Sequence, residues 1–573
     1  MLMRRIIPGL FIILIFGSWS CTPPVSAIKP FDYTIRKTVT ATNGAVVSAH
    51  PLASQVGVEV LKQGGNAVDA AIAVQLALAV VYPGAGNIGG GGFLVANLRD
   101  GKNIAIDYRE AAPGAASRNM YLDSAGNPVM EWSQRGHLSA GVPGTVAGLF
   151  TSLKYGTLPF EKLIEPAIWL AEKGFAITAS EAQSLNRLQG DFEKYNTAKT
   201  AFQKDAPWKE GDTLIQKELS VTLTRIRDNG QKGFYEGETA RLIVEEMKKR
   251  NGIITEADLK NYTAKERTPV IFNYKGHTLV SMPLPSSGGI IIEQCLKMIE
   301  NREIGQMGFH SPAAVQLMIE AERRAYADRA EFMGDVDFYN VPVKGLIADD
   351  YLQSRMADFT PGKAGNSERV KAGIPAKESE ETTHISIADK WGNVVAVTTT
   401  LNDHYGSKTV VGGAGFVLND EMDDFSVKPG VPNMYGAIGT EANAIAPGKR
   451  MLSSMTPTIV LKDGTPFLVV GTPGGTTIPT SVFQSIVNII DFKLSPQDAV
   501  NKPKFHHQWL PDEVFVEEDF PAATLDSLKQ MGYAITPRGK IGRTELIQIN
   551  KNNNSYTFEA VADNRGDDSA EGY

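Results

Sequence analysis

The chain of 573 residues carries 57 Lys+Arg against 64 Asp+Glu, a net charge of −7, with 42% hydrophobic residues, 55 Gly and two Cys. That apolar fraction supports a large core and excludes a disordered or low-complexity chain. The mild acidic balance, without Lys/Arg clusters, points away from nucleic acid, and two cysteines exclude a disulfide scaffold and most cysteine-based metal sites. At about 150 residues per domain, length alone predicts about four domains.

Residues 1–27 read as an export signal. Arg4 and Arg5 supply its positive start, and Ile6 to Trp19 is an apolar stretch too short for the ~20 helical residues that span a bilayer. Val25-Ser26-Ala27 is a small-x-small cleavage site. The product would be periplasmic or secreted. Two readings stand beside this one. A lipid anchor on Cys21 is disfavoured by Trp19, where such sites hold a small residue, and an uncleaved anchor is disfavoured by the clean cleavage site.

Further along, Gly64-Gly65 closes one helix at Lys62-Gln63, and Asn66 caps the next, Ala67 to Tyr82. That second helix is apolar all round, so it is predicted to lie buried between layers. Phe93 to Asp107 reads as two strands around the turn Arg99 to Lys102, followed by a helical region over about 143–260. Ser311-Pro312 opens a helix that runs to about Met333. Lys363 to Glu381, with many charges and no aromatic residue, reads as a mobile surface segment. It runs directly into a predicted hairpin, Thr383 to Ala388 and Val394 to Thr400 around Asp389-Lys390-Trp391-Gly392-Asn393. Strands at Thr458–Leu461 and Phe467–Gly471 and a helix over about 480–492 follow.

Several chemistries lack their motifs. No His-Glu-x-x-His is present, Gly89 to Gly92 is not followed by Lys-Ser/Thr and precedes a strand, and Gly-x-Ser-x-Gly is absent. The junction Glu381-Thr382-Thr383-His384 offers another route. Thr is a weak nucleophile without a base, and one solution makes it the first residue of a chain, so that its own α-amino group serves. An α-amino pKa of about 7.7–8.0 suits proton transfer near neutral pH. Composition alone reads Thr382-Thr383 as the opening of a strand.

The surrounding stretches decide between these readings. Thr382 to Ser386, Asp389 to Asn393, Thr398 to Asn402, Asn419 to Phe425, Leu452 to Thr458 and Gly471 to Gly475 resemble the γ-glutamyltransferase (γ-glutamyltranspeptidase) family of N-terminal-nucleophile hydrolases. Upstream, Gly65 to Ala71, Asp107 to Pro113, Val142 to Thr145, Pro285 to Gly289 and Arg324 to Arg329 extend the resemblance, in order, from about residue 38 to the C-terminus. It implies an α+β fold, a four-layer αββα sandwich made as one precursor. The precursor would cut itself between Glu381 and Thr382 into a heavy chain, 28–381, and a light chain, 382–573, which stay together as a heterodimer in one interleaved fold.

The resemblance also implies roles. Thr382 is the nucleophile, attacking the γ-carbonyl of glutathione or another γ-glutamyl compound, and water or an amino acid or dipeptide takes the acyl group. Thr400 bonds the nucleophile's amino group. Gly474 and Gly475 form an oxyanion hole, for which backbone N–H groups unobstructed by side chains are suited. Arg109 clamps the substrate α-carboxylate, where a guanidinium can make two parallel bonds. Its other reading is an ion pair with Asp107 or Glu110. Glu421 and Asp424 receive the α-ammonium, or else belong to a solvated acidic loop. Asn402, Ser453 and Ser454 complete the pocket, and Tyr435 closes a lid loop over it. No metal or other cofactor is implied. A related acylase that removes glutaryl or cephalosporin side chains is the nearest rival, but its substrates lack the α-ammonium that Asp424 would hold. An exported binding protein with a degenerate site is the rival from another class.

Overall fold

The computed structural model describes residues 28–370, 382–431, 433–434, 436, 439–553 and 555–573. The signal segment with Cys21, residues 371–381 with Glu381, and Tyr435 lie outside the described residues. No helix among the described residues is long and apolar enough to cross a membrane.

Two seven-stranded sheets form the centre. In the first the order is Ser569–Gly572, Gly44–Ser48, Thr383–Asp389, Val394–Thr400, Gly91–Asn97, Asn103–Asp107, Lys265–Arg267. In the second it is Thr38–Ala41, Ser555–Ala562, Glu545–Asn552, Thr465–Gly471, Thr458–Lys462, His277–Ser281, Val270–Tyr274. Every neighbouring pair in both sheets is antiparallel.

Side chains alternate along each strand, so one apolar run feeds two cores. Val47, Val95, Ala396, Val280, Val469 and Ile547 meet between the sheets. Their neighbours Val46, Leu94, Val395 and Val397 turn outward onto helices Pro51–Lys62, Ala67–Val81 and Phe160–Lys173. Leu279, Leu468 and Leu546 turn outward on the other side, onto helices Gly288–Ile299, Pro312–Phe332 and Thr477–Ile490. The result is the αββα sandwich expected from the family resemblance. The four domains that length predicted are replaced by interleaving: each sheet draws strands from both sides of residue 382.

Helix Ala67–Val81 is buried along its whole length, as its composition requires, and Asn66 caps it in a reciprocal box with Asp69. Its N-terminus is also tied to the central hairpin. Asp389 accepts from Ala67 N–H (2.9 Å), Trp391 N–H (2.9 Å), Asn393 N–H (3.0 Å) and the Asn393 amide (2.6 Å). One carboxylate thus closes the hairpin turn and caps the buried helix.

Two expectations change. The helical region over 143–260 contains a short pair of strands, Phe175–Ala176 with Thr213–Leu214. The segment predicted to be mobile is docked over its first part. Ser367 N–H donates to Asp512 (2.9 Å), Ala364 N–H donates to Met531 C=O (2.8 Å), and Val370 is buried. Its polar composition reflects backbone and side-chain bonding to neighbouring elements there, not freedom. The remainder, 371–381, lies outside the described residues.

Replacing Asp389 with Ala leaves buried donors unmet in both elements and is expected to cost about 2–4 kcal/mol. Lys390→Ala, at an exposed position, should stay within about 0.5 kcal/mol. Urea denaturation midpoints of the two variants check this.

Candidate active site

The site begins with the hairpin register. Thr383 pairs with Thr399 across the two strands, and Thr400 lies one residue further along, opposite Thr382. Alternation points Thr399 the other way, where its hydroxyl donates to Gly91 C=O (2.8 Å). Thr382 and Thr400 share the inter-sheet face, with their Oγ1 atoms 3.5 Å apart, and both are buried. Asn402 N–H donates to Thr400 Oγ1 (2.8 Å), and Asn87 holds the Thr400 carbonyl (2.7 Å). The glycine run upstream has a packing role. A Cβ on Gly90 would sit 2.2 Å from Thr400 C=O, and one on Gly92 2.5 Å from Thr398 C=O. Only bare backbone fits against this strand.

A small cavity opens over Thr382. Thr400, Asn402, Arg109, Glu421, Asp424, Ser453, Ser454 and Gly475 line it. Gly474 is the next residue back, at φ +135°, and Gly475 has φ +54°, so both use backbone geometry that suits glycine. Among the described residues neither glycine N–H has a hydrogen-bond acceptor. Both precede helix Thr477–Ile490, whose N-terminal end carries partial positive charge.

Glu421 and Asp424 stand at i and i+3 of a short 3₁₀ turn, which puts them on one side. Arg109, at the end of the strand Asn103–Asp107, reaches between them and forms ion pairs with both. Glu110 lies 3.5 Å behind it. Asp107 instead takes Arg267 (2.9 Å) and Arg450 (2.5 Å). One buried guanidinium therefore faces three carboxyl groups. Burial pushes Glu421 well above the usual carboxylate range, against the pull of Arg109. It raises Asp424 in the same way and brings Glu110 to about 7. The cluster is short of positive charge.

Next to this cluster, Asp423 anchors the segment before Tyr435. It accepts from Met434 N–H (2.7 Å) and from the Ser133 hydroxyl (2.5 Å). Asn433 donates to Asp424 (3.2 Å).

Sequence reasoning left Arg329 without a role. It lines the cavity and donates to Ser454 Oγ (3.1 Å) and Ser287 Oγ (3.1 Å). Ser287 in turn donates its N–H (2.8 Å) and its hydroxyl (2.8 Å) to Ser453 C=O. The Ser453-Ser454 loop is thus braced by the Pro285-Ser286-Ser287 turn and by helix Pro312–Phe332. The only sequence signal was that Arg329 ends the Arg324-to-Arg329 stretch. Met455, Thr476 and Ile478 also line the cavity without having been singled out.

Known proteins resemble this chain in sequence and fold. The family described as Gamma-glutamyltranspeptidase matches residues 53–573. The glutathione hydrolase proenzyme of Escherichia coli (strain K12) is 46% identical over 551 residues, 95% of this chain and 95% of that one. The acylase ACY 1 proenzyme of Pseudomonas sp. (strain SE83) is 35% identical, over 92% of this chain and 94% of that one. Among solved structures, the cephalosporin acylase from Bacillus halodurans matches with a TM-score of 0.82 at 26% identity, covering 95% of this chain and 99% of that one. The Helicobacter pylori gamma-glutamyltranspeptidase matches with a TM-score of 0.56 at 45% identity, covering 60% of this chain and 97% of that one. With the family match spanning residues 53–573 and a relative 46% identical over 95% of both chains, this chain is an enzyme of the γ-glutamyltranspeptidase family.

Proposed function

We propose that this chain is an exported, self-cleaving γ-glutamyltransferase and glutathione hydrolase with Thr382 as its nucleophile. The observation that carries the reading is the meeting of Thr382, Gly475, Arg109, Glu421 and Asp424 around one cavity. In the precursor, Thr382 Oγ attacks the Glu381 carbonyl carbon. The C–N bond to Thr382 breaks, and its nitrogen takes the hydroxyl proton. Water hydrolyses the resulting ester, leaving a carboxylate on Glu381 and a free amine on Thr382.

In turnover that amine takes the Oγ proton while Oγ attacks the γ-carbonyl of the donor. Gly474 and Gly475 N–H groups face the developing oxyanion, where fixed donors are most effective. The amide nitrogen receives the proton and leaves, and Thr382 holds the γ-glutamyl group as an ester. Water, or the amine of an amino acid or dipeptide, then releases it. Thr400 steadies the nucleophile, while Asn402, Ser453 and Ser454 offer hydrogen bonds to the donor. Arg109 takes the α-carboxylate as Glu421 and Asp424 turn to the α-ammonium. That exchange distinguishes this reading from the acylase one: a glutaryl group has no ammonium to replace the guanidinium between those two carboxyls.

Denaturing electrophoresis of the purified protein should give bands of about 38 and 21 kDa from the 62.0-kDa chain. The smaller band should begin Thr-Thr-His on N-terminal sequencing, and Thr382→Ala should remain one inactive chain. Any other start, or efficient processing of Thr382→Ala, removes Thr382 from the role.

Asp424→Asn should lower kcat/KM for a γ-glutamyl anilide at least ~30-fold, the equivalent of about 2 kcal/mol for an unpaired buried charge. Turnover of the glutaryl anilide should fall far less. An equal fall in both would refute the ammonium role.

A further inference from the structure

The donors assigned to the oxyanion are backbone N–H groups of two glycines, so no side chain at 474 or 475 can aim them. Glycines at φ +135° and +54° have wide conformational freedom, and a peptide plane between them can turn over. A turned plane presents a carbonyl where an N–H is needed. The two planes must therefore be fixed from outside the glycines.

Both are fixed through their carbonyls. A peptide unit is planar and, when trans, points its C=O and its N–H in opposite directions. Both units here are trans. The Gly475 N–H shares a unit with the Gly474 C=O, and Thr477 holds that carbonyl through its N–H (2.9 Å) and its hydroxyl (2.7 Å). The Gly475 N–H is thus directed away from helix Thr477–Ile490, and Gly475 borders the cavity over Thr382. The Gly474 N–H shares a unit with the Pro473 C=O, which accepts from the Thr472 hydroxyl (2.8 Å). Thr472 Oγ1 in turn accepts from Arg543 N–H (2.7 Å), which orients the hydroxyl as a donor to Pro473. Both threonines are fully buried. A Cβ on Gly474 would collide with Thr477 Oγ1, so the group that holds the carbonyl also requires glycine there.

We propose that Thr472 and Thr477 are positioning residues of the reaction. Each hydroxyl pins the carbonyl of one peptide unit and so aims the N–H at its other end toward the oxyanion that forms on the γ-carbonyl. The inference deepens the reading of Gly474 and Gly475 as oxyanion donors and rests on it. Donors set before substrate arrives need no reorientation when charge develops. The two holders are unequal. Thr477 grips Gly474 C=O twice, and only one grip is its hydroxyl. Among the described residues, Pro473 C=O has the Thr472 hydroxyl as its one partner, so Thr472 carries the larger effect.

The test uses an L-glutamate analogue with a boronic acid in place of the γ-carboxyl. Thr382 Oγ bonds to boron as its proton passes to the Thr382 amine, and boron, keeping both hydroxyls, becomes a tetrahedral anion like the oxyanion. The ratio of the inhibition constants of L-glutamate and the boronate reads how well that anion is stabilised. It does not depend on the amount of active enzyme, and head-group binding cancels from it. Thr472→Val should lower the ratio, and kcat for a γ-glutamyl anilide, about tenfold to thirtyfold, and Thr477→Val about threefold to tenfold, both less than the ~10²–10³ lost with a whole oxyanion donor. The inhibition constant of L-glutamate itself should stay unchanged. Thr472→Ser and Thr477→Ser, which keep the hydroxyl, should restore the wild-type ratio. An unchanged ratio in either Val variant, or a lowered one that serine does not restore, would overturn the role of that residue. A wild type that binds the boronate no more tightly than L-glutamate would instead overturn the oxyanion reading of Gly474 and Gly475.

Discussion

Antiparallel pairing of Thr383–Asp389 with Val394–Thr400 is the constraint on which the rest of the molecule depends. The pair lies near the middle of its sheet, flanked by Gly44–Ser48 and Gly91–Asn97. Its period of two sends Ile385, Ile387, Val395 and Val397 to the helices and turns Thr382 and Thr400 inward. A one-residue slip would exchange the two sets, exposing the hydroxyls to an apolar helix layer and the aliphatic chains to the cavity. Asp389 fixes the turn end of this register by bonding both the hairpin and the buried helix Ala67–Val81. Placement of the hydroxyls and stability of the core are therefore one property.

The charge cluster around Arg109 is governed by burial rather than by pair count. Three carboxyl groups around one guanidinium would gain little from further desolvation, because each ion taken from water costs several kcal/mol unless fully paired. Their raised pKa values express that shortage of positive charge. A zwitterionic head group has the complementary pattern, a carboxylate for Arg109 and an ammonium for Glu421 and Asp424. Such a cluster discriminates by what is missing from a poor ligand. An acyl group without the ammonium leaves buried carboxyls to be matched by Arg109 alone, which then has less to offer the carboxylate.

Legibility in the sequence followed physical locality. Elements set by local patterns were readable: the Asn66 cap, the all-apolar helix after it, the hairpin around Asp389 to Asn393 and the Ser311-Pro312 helix start. The ordered motifs gathered the residues that line the cavity, although they come from segments hundreds of positions apart. Properties that arise only from packing were not readable. Arg329 sits on a long helix among other arginines, and its place in the cavity depends on how that helix meets the Ser453-Ser454 loop. The 363–370 segment has the composition of an exposed tether, yet its backbone is bonded to distant partners such as Asp512 and Met531. Composition reports what a segment lacks for a core of its own, not what its neighbours provide.

The cavity over Thr382, lined by charged groups, has the pattern complementary to a zwitterionic head group, with the far carbonyl left at Thr382. An acyl-enzyme formed there is partitioned by whatever reaches it next, and water is always present. Transfer can compete only if an acceptor amine is held near the ester at an effective concentration that offsets its dilution relative to water. That ester would form where segments from before and after residue 382 meet, because their interleaving builds the cavity walls.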